Sequence, residues 1–397
     1  MALLPLLSLF LCAVQTAHAL PAPILITSED QLLSSYDYVV VGGGTSGLTV
    51  ADRLSEDPDV TVLTIEPGPL LSREEEFRDL LVPRGTATSM ASTYTFPNLV
   101  AEPLTELNNR QNYRITAARL FGGASGINGL GWGRMGKSDH NDWAEFTSDD
   151  GWNWENMVKY YKRVETFVPP PPEWGGVTSG DECCRGEDGP IQAGYGRFWY
   201  KSNVQNLEAE KELGIPYKQD DGNGDNMGGV WCPSSIKTKH QEYERSYSKE
   251  GHYDPNKDRK NWHVLVETSA TRILFDKKRA VGVEYSKGAT GEKKTAKVNK
   301  EVVMAAGAVH SAPLLQISGV GPKAVIEDLD VPLVADLPLV GEGLQDHAFS
   351  FVGYSRVYPV VLVTTLWSAL ADGARRYMAG GIRGRKVAVT EQQDIPG

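Results

Sequence analysis

The chain has 397 residues, 41% of them hydrophobic, enough for one large or two ordinary domains with buried cores. Its formal charge of −11, with both signs spread along the sequence and no basic tract, argues against nucleic acid or an acidic membrane surface as a partner.

The apolar run Leu3 to Val14 and the triplet Ala17-His18-Ala19 fit a secretory signal peptide over residues 1–19, cleaved before Leu20, although its n-region has no Lys or Arg. The mature chain is therefore expected to be secreted or to stay in the secretory-pathway lumen. Cys12 would leave with the signal, and Cys183, Cys184 and Cys232 would remain. A bridge from one of the adjacent pair to Cys232 would leave one thiol free, and the sequence does not choose which. No second pair with ligand spacing accompanies Cys183 and Cys184, so no metal is expected. No Asn-x-Ser/Thr sequon occurs.

Tyr36 to Gly44 is a β-branched and apolar run ending in glycines, and Gly47 to Ser55 spaces Leu48, Ala51 and Leu54 as a helix does. Val60 to Ile65 reads as a second buried strand, which completes a βαβ unit of about thirty residues. From Asn109 to Trp132 the chain is glycine-rich, and close approach of backbone to a ligand is expected there in place of ordinary secondary structure. His140, in Asp139-His140-Asn141-Asp142-Trp143, is expected in a surface turn. Pro169 to Pro172 mark an extended segment. The polar stretch Asp181 to Asn256 is assigned to a cap or substrate region.

His263 to Phe275 alternates as one strand. With Ala280 to Tyr285 and Thr295 to Val298 it forms an expected antiparallel meander around a turn at Lys287 to Gly291. Glu301 to Ala306 is a further buried strand, and a helix can start at Ser311. Val357 to Leu370 is apolar, but short and broken by Pro359 and Ser368, so it reads as core and not as a membrane span.

Gly42, Gly44 and Gly47 carry G-x-G-x-x-G spacing between a strand and a helix. The first permits a tight turn, the second lets a diphosphate touch the main chain, and the third lets helix pack on strand. Glu66 lies 19 residues beyond Gly47, at the end of the second strand, where a carboxylate accepts ribose hydroxyls and repels a 2′-phosphate. A dinucleotide site follows, and this motif alone leaves NAD and FAD open. The sequence has no G-x-S-x-G, Walker lysine or His-Glu-x-x-His.

Four ordered stretches bear on that choice: the βαβ unit with Ile65-Glu66-Pro67-Gly68, then Ala118 to Gly129, Gly307 to Gly321, and Val340 to His347. Together they resemble the glucose-methanol-choline (GMC) oxidoreductases. The departures are Phe121, Ala124, Met135, Ala312 and Gly343, and none removes a charged or nucleophilic group.

The resemblance implies an α/β fold, a Rossmann-like FAD-binding domain with a smaller, incomplete antiparallel-sheet substrate domain. Residues 36–167 and 257–348 would form the FAD-binding domain, 168–256 the cap, and 349–397 the start of the substrate domain and a divergent tail. It also implies that Thr45 and Ser46 meet the pyrophosphate, and that Glu66 and Pro67 face the ribose and adenine. Asn128, Gly129, Leu130 and Gly131 would lie against the flavin half, and Ala270 would contact adenine by its main chain. The implied reaction oxidises a small alcohol: a base takes the hydroxyl proton, hydride passes to flavin N5, and oxygen or another acceptor reoxidises the flavin.

In the family the catalytic histidine lies in a C-terminal segment. Here no histidine follows His347, and Arg375 to Gly397 does not resemble the family's continuation. The chain is therefore expected to be a truncated, fungal-type secreted member with no assignable catalytic residue, active in secondary metabolism or else a noncatalytic flavin-binding remnant.

Overall fold

The computed structural model describes residues 25–26, 31–70, 93–97, 114–170, 183–196, 201–218, 220–239, 243–288 and 291–344. The expected signal peptide, Pro171 and Pro172, the Gln345-Asp346-His347 stretch, the apolar run Val357 to Leu370 and the whole of 349–397 lie outside them. Contacts divide the chain into a unit Met1–Gly343 and a unit Leu344–Gly397, and the described residues, Leu344 apart, belong to the first.

The fold is mixed α/β, organised on one six-stranded sheet. Strand β1 (Tyr36–Val41) runs into helix α1 (Thr45–Leu54) and then strand β2 (Val62–Ile65). Helices α2 (Lys137–Thr147) and α3 (Trp154–Val164) follow, then strands β3 (Trp262–Leu265), β4 (Thr268–Asp276), β5 (Arg279–Lys287) and β6 (Lys294–Met304), and helix α4 (Gly307–Gln316). Sheet order is β3-β2-β1-β6-β5-β4, parallel from β3 to β6 and antiparallel from β6 to β4.

Val39, Val40 and Val41 are buried on both faces of the sheet, as a central parallel strand requires. Val39 and Val41 pack with Leu63, Ile65 and Val283 on one face, and Val40 packs with Leu48, Ala51 and Trp262 on the other. The chain leaves β1 toward β2 on one side, while β6 occupies the other. The carboxyl ends of these strands thus open onto a topological switch point, where α/β sheets bind ligands.

Four expectations are corrected. The run from His263 to Phe275 is two strands, because Glu267 takes a positive φ of 52° and the chain hooks around the end of β2 there. In that hook Glu267 N donates to Gly68 O and Thr268 N to Glu66 O. The stretches Thr295 to Val298 and Glu301 to Ala306 are not separate strands: one strand, β6, runs through both as far as Met304 and pairs antiparallel with β5 and then parallel with β1. Arg114–Ala118, within the expected irregular segment, is a strand paired with Thr93–Pro97. The helix expected from Ser311 starts four residues earlier, at Gly307. Among the described residues no helix is long and apolar enough to cross a membrane.

Candidate functional site

The turn between β1 and α1 forms the floor of the site. Gly42 has φ 108°, a conformation that only glycine adopts cheaply, and its N–H donates to Ile65 O at 2.9 Å. A Cβ at Gly47 would run into the Gly42 carbonyl oxygen, so helix and strand close on each other only because position 47 is glycine. Helix α1 opens on Gly44 with no side-chain cap and no acidic residue in its first turn, and Thr45 and Ser46 are exposed. The first amides of a helix have no partner within it, and here they and the positive end of the dipole lie at exposed residues.

Glu66 is the wall beside this floor. It is 6% exposed, and its two oxygens are divided between two turns: Oε2 accepts Gly43 N at 2.8 Å and Oε1 accepts Gly68 N at 2.7 Å. Burial pushes its carboxyl up to about 7, against the opposing pull of those two amides and the Arg119 charge. Half-buried Pro67 fixes the turn between, and a Cβ at Gly68 would strike the Arg119 and Leu120 backbone.

The glycine-rich segment closes over the same corner. Gly122 N donates to Gly43 O at 2.8 Å, with Gly122 at φ 107° and Gly123 at φ 56°. Ser125 Oγ and Ser248 Oγ both reach Gly122 O, at 2.6 and 2.9 Å. Asn128 makes a turn of its own, accepting Leu130 N on Oδ1 at 3.1 Å. Arg245 clamps that turn, with Nη1 on Asn128 Oδ1 at 2.6 Å and on Ser125 O at 3.1 Å, and Nη2 on Asn128 O at 3.0 Å. Asn128, Gly129 and Gly131 are exposed, Leu130 has φ 70°, and nothing lies within 4 Å of a Cβ placed at Gly131. The result is an exposed main-chain turn on a fixed base.

Ala270 sits on edge strand β4, half-buried, two residues after the Thr268 amide that bonds to Glu66 O. Gly42, Gly44, Thr45, Ser46, Gly47, Glu66 and Pro67 are thus brought together directly. Asn128 to Gly131 join them through Gly122 and Gly123, and Ala270 through Thr268. Sequence reasoning missed Arg245, Ser248 and Ser125 as braces: no local motif marks Arg245 or Ser248, whose partners lie more than a hundred residues away, and Ser125, though inside the Ala118 to Gly129 stretch, shows its role only once Ser248 reaches it.

Three of the four described histidines are held in hydrogen bonds apart from the glycine turn. His140 is not in a surface turn: it is 5% exposed inside α2, bonded to Trp152 O at 3.2 Å and Tyr161 Oη at 3.0 Å. His252 bonds Asp52 at 2.8 Å and Thr49 at 3.1 Å, and His263 bonds Tyr36 Oη at 2.8 Å. Burial lowers the pKa of both His263 and His310. The cysteine expectation is corrected as well: Cys183 and Cys184 bridge each other, and Cys232 is a free thiol. Lys162 on Cys183 O and Arg134 on Cys184 O hold the turn that lets neighbours pair. Among the described residues no group of three His, Cys, Asp or Glu is placed to hold a metal ion.

A family model described as GMC oxidoreductase matches residues 36–349. "Dehydrogenase xptC" of Emericella nidulans is 40% identical over 371 residues, 91% of this chain and 57% of that protein. An "Oxygen-dependent choline dehydrogenase" of Pseudomonas putida is 34% identical over 85% of this chain and 58% of its own length. Among solved structures, an FAD-dependent oxidoreductase from Chaetomium thermophilum superposes with a TM-score of 0.75 at 33% identity, covering 87% of this chain and 59% of that one. A fungal aryl-alcohol oxidase superposes at 0.67 and 28% identity, over 77% of this chain and 51% of the other. The chain therefore spans a little under three fifths of the curated relatives it matches.

Proposed function

Because the chain belongs to the GMC oxidoreductase family, whose cofactor is FAD, we propose that the site at the β1–α1 turn holds the ADP half of FAD and that the protein oxidises a small alcohol, with oxygen or another acceptor taking the electrons. The observation that carries the reading is the uncapped start of α1 beside the buried carboxylate of Glu66, at the switch point of the sheet.

The fit rests on the donor set. Amides at the exposed Thr45 and Ser46 suit a diphosphate. Each oxygen of Glu66 keeps a lone pair after accepting one amide, enough to receive ribose hydroxyls. The glycine face at Asn128 to Gly131 suits a flat ring, and Ala270 offers edge-strand main chain on the adenine side. Bound there, FAD would supply the hydride acceptor. The residues named here bind and orient it; none of them is assigned as the proton acceptor.

The domain division at 167, 256 and 348 belongs to this reading, as does a secreted destination, which is supported by Leu3 to Val14 and Ala17-His18-Ala19. A second reading, a flavin carrier without turnover, is favoured by one observation: three of the four described histidines, His140, His252 and His263, are committed to structural hydrogen bonds. Anaerobic mixing of the flavin-loaded protein with a panel of primary alcohols separates the two. Bleaching of the flavin band by at least one alcohol supports the oxidoreductase, and a band that no alcohol bleaches supports the carrier.

A further inference from the structure

A group of buried charges that the flavin site does not use lies beneath the glycine-rich segment. Glu165, Arg134, Arg185, Asp220 and Asp221 are all below 10% exposed. Arg134 pairs with Glu165 at 2.7 Å, and Arg185 pairs with Glu165 at 3.3 Å, with Asp221 at 2.6 Å and with Asp220. Charges this deep are stable only while every partner is in place.

The Cys183–Cys184 disulfide is fastened to this network on both sides. Arg134 Nη1 donates to Cys184 O at 2.7 Å, Gly186 N donates to Glu165 Oε1 at 2.9 Å, and Arg185 follows the bridge directly in sequence. The same network braces the glycine-rich segment, because Trp132 Nε1 donates to Glu165 Oε2 at 2.8 Å and Arg134 continues the chain two residues later. Cys183 is exposed as a residue and Cys184 half-buried, so the bridge lies at the edge of the buried network.

Cys232 is bystander to this bridge. As a residue it is exposed, yet its sulfur packs against Asp221 at 3.5 Å, and that burial and the neighbouring carboxylate push its thiol up to about 11. It stays protonated at neutral pH and exchanges slowly with a disulfide.

We propose that Cys183–Cys184 is a reducible two-electron site that locks residues 183–186 onto the buried network, and that its opening by an external thiol loosens the network and the segment Asn128 to Arg134. The thiolate attacks the Cys183 sulfur, the S–S bond breaks, and Cys184 leaves as a thiolate that takes a proton. A second thiol then releases Cys183 as a thiol, with the external pair oxidised to its disulfide. With the ring open, the Cys184 carbonyl is no longer held toward Arg134. The proposal stands apart from the flavin reading.

The test uses the full chain, oxidised and after incubation with dithiothreitol, and reads alkylation by peptide mapping alongside hydrogen exchange. In the oxidised protein neither Cys183 nor Cys184 is expected to be alkylated. After reduction both are alkylated, and exchange across 128–135 and 220–222 rises about tenfold or more, returning on reoxidation. A Cys183→Ser/Cys184→Ser variant should show the faster exchange without reductant and no response to it. If that variant does not fold, the reduced and reoxidised wild-type chain decides. A bridge from Cys232 to either partner, a Cys183–Cys184 bond that excess thiol leaves intact, or full reduction with unchanged exchange would each overturn the proposal.

Discussion

Glu66 accepts the Gly43 amide at 2.8 Å across 23 residues, and so ties the end of β2 to the turn that opens α1. With its other oxygen on Gly68, one carboxylate sets the shape of both sides of the site before any ligand arrives. Replacing it by Gln keeps one acceptor and turns an NH2 toward an amide. At about pH 4.5 Glu66→Gln is expected to lower stability by about 1–3 kcal/mol, read by thermal unfolding, and it is expected to weaken flavin retention, read by the flavin to protein absorbance ratio.

The pH dependence follows from the same burial. The folded Glu66 carboxyl lies near 7, above its value of 4.5 when unfolded, so the native state binds the extra proton. Its stabilising contribution is whole below about pH 4.5 and is lost as pH rises to about 7, a fall of about 3 kcal/mol. Denaturant unfolding of flavin-free protein across that range should show this slope, and Glu66→Gln should lack it.

Gly47→Ala places a methyl group against the Gly42 carbonyl and close to the Ala305 side chain. The loop or the helix must move, at about 1–3 kcal/mol. The expected product is a folded chain of lower melting temperature that binds FAD far more weakly than wild type, measured by quenching of flavin fluorescence.

Arg245 donates to Ser125 O and to both oxygens of Asn128, a planar fork that lysine cannot reproduce. Both Arg245→Lys and Arg245→Ala are expected to raise hydrogen exchange at 126–131, the Ala variant losing about 1.5–3 kcal/mol.

Arg185→Leu strands the carboxylates of Asp220 and Asp221 in a buried setting. A loss of about 3–5 kcal/mol is expected, the range for breaking one side of a buried pair, measurable by urea unfolding.

The parts of this architecture that could be read from the sequence are those governed by neighbouring residues. The valines of β1, the glycine turn and the spacing of Leu48 and Ala51 announce their own strand, turn and helix, and Glu66 follows from the length of one βαβ unit. What could not be read depends on partners far along the chain. Glu267 breaks an alternating pattern only because its amide and that of Thr268 find Gly68 and Glu66. The join of two apparent strands into β6 is visible only once β1 lies beside Glu301 to Met304. His140 reads as polar surface until Trp152 and Tyr161 surround it, and nothing near Arg245 reveals that it clamps Asn128.

Calorimetric titration of flavin-free protein with FAD, and separately with FMN, tests whether the site at the β1–α1 turn takes the ADP half of the cofactor. FMN carries the same ring system without the adenylate that the proposal assigns to the Gly42–Gly47 turn and Glu66. Tight binding of FAD with much weaker binding of FMN is the expected result; equal affinity for the two, or no heat with FAD, would contradict the account.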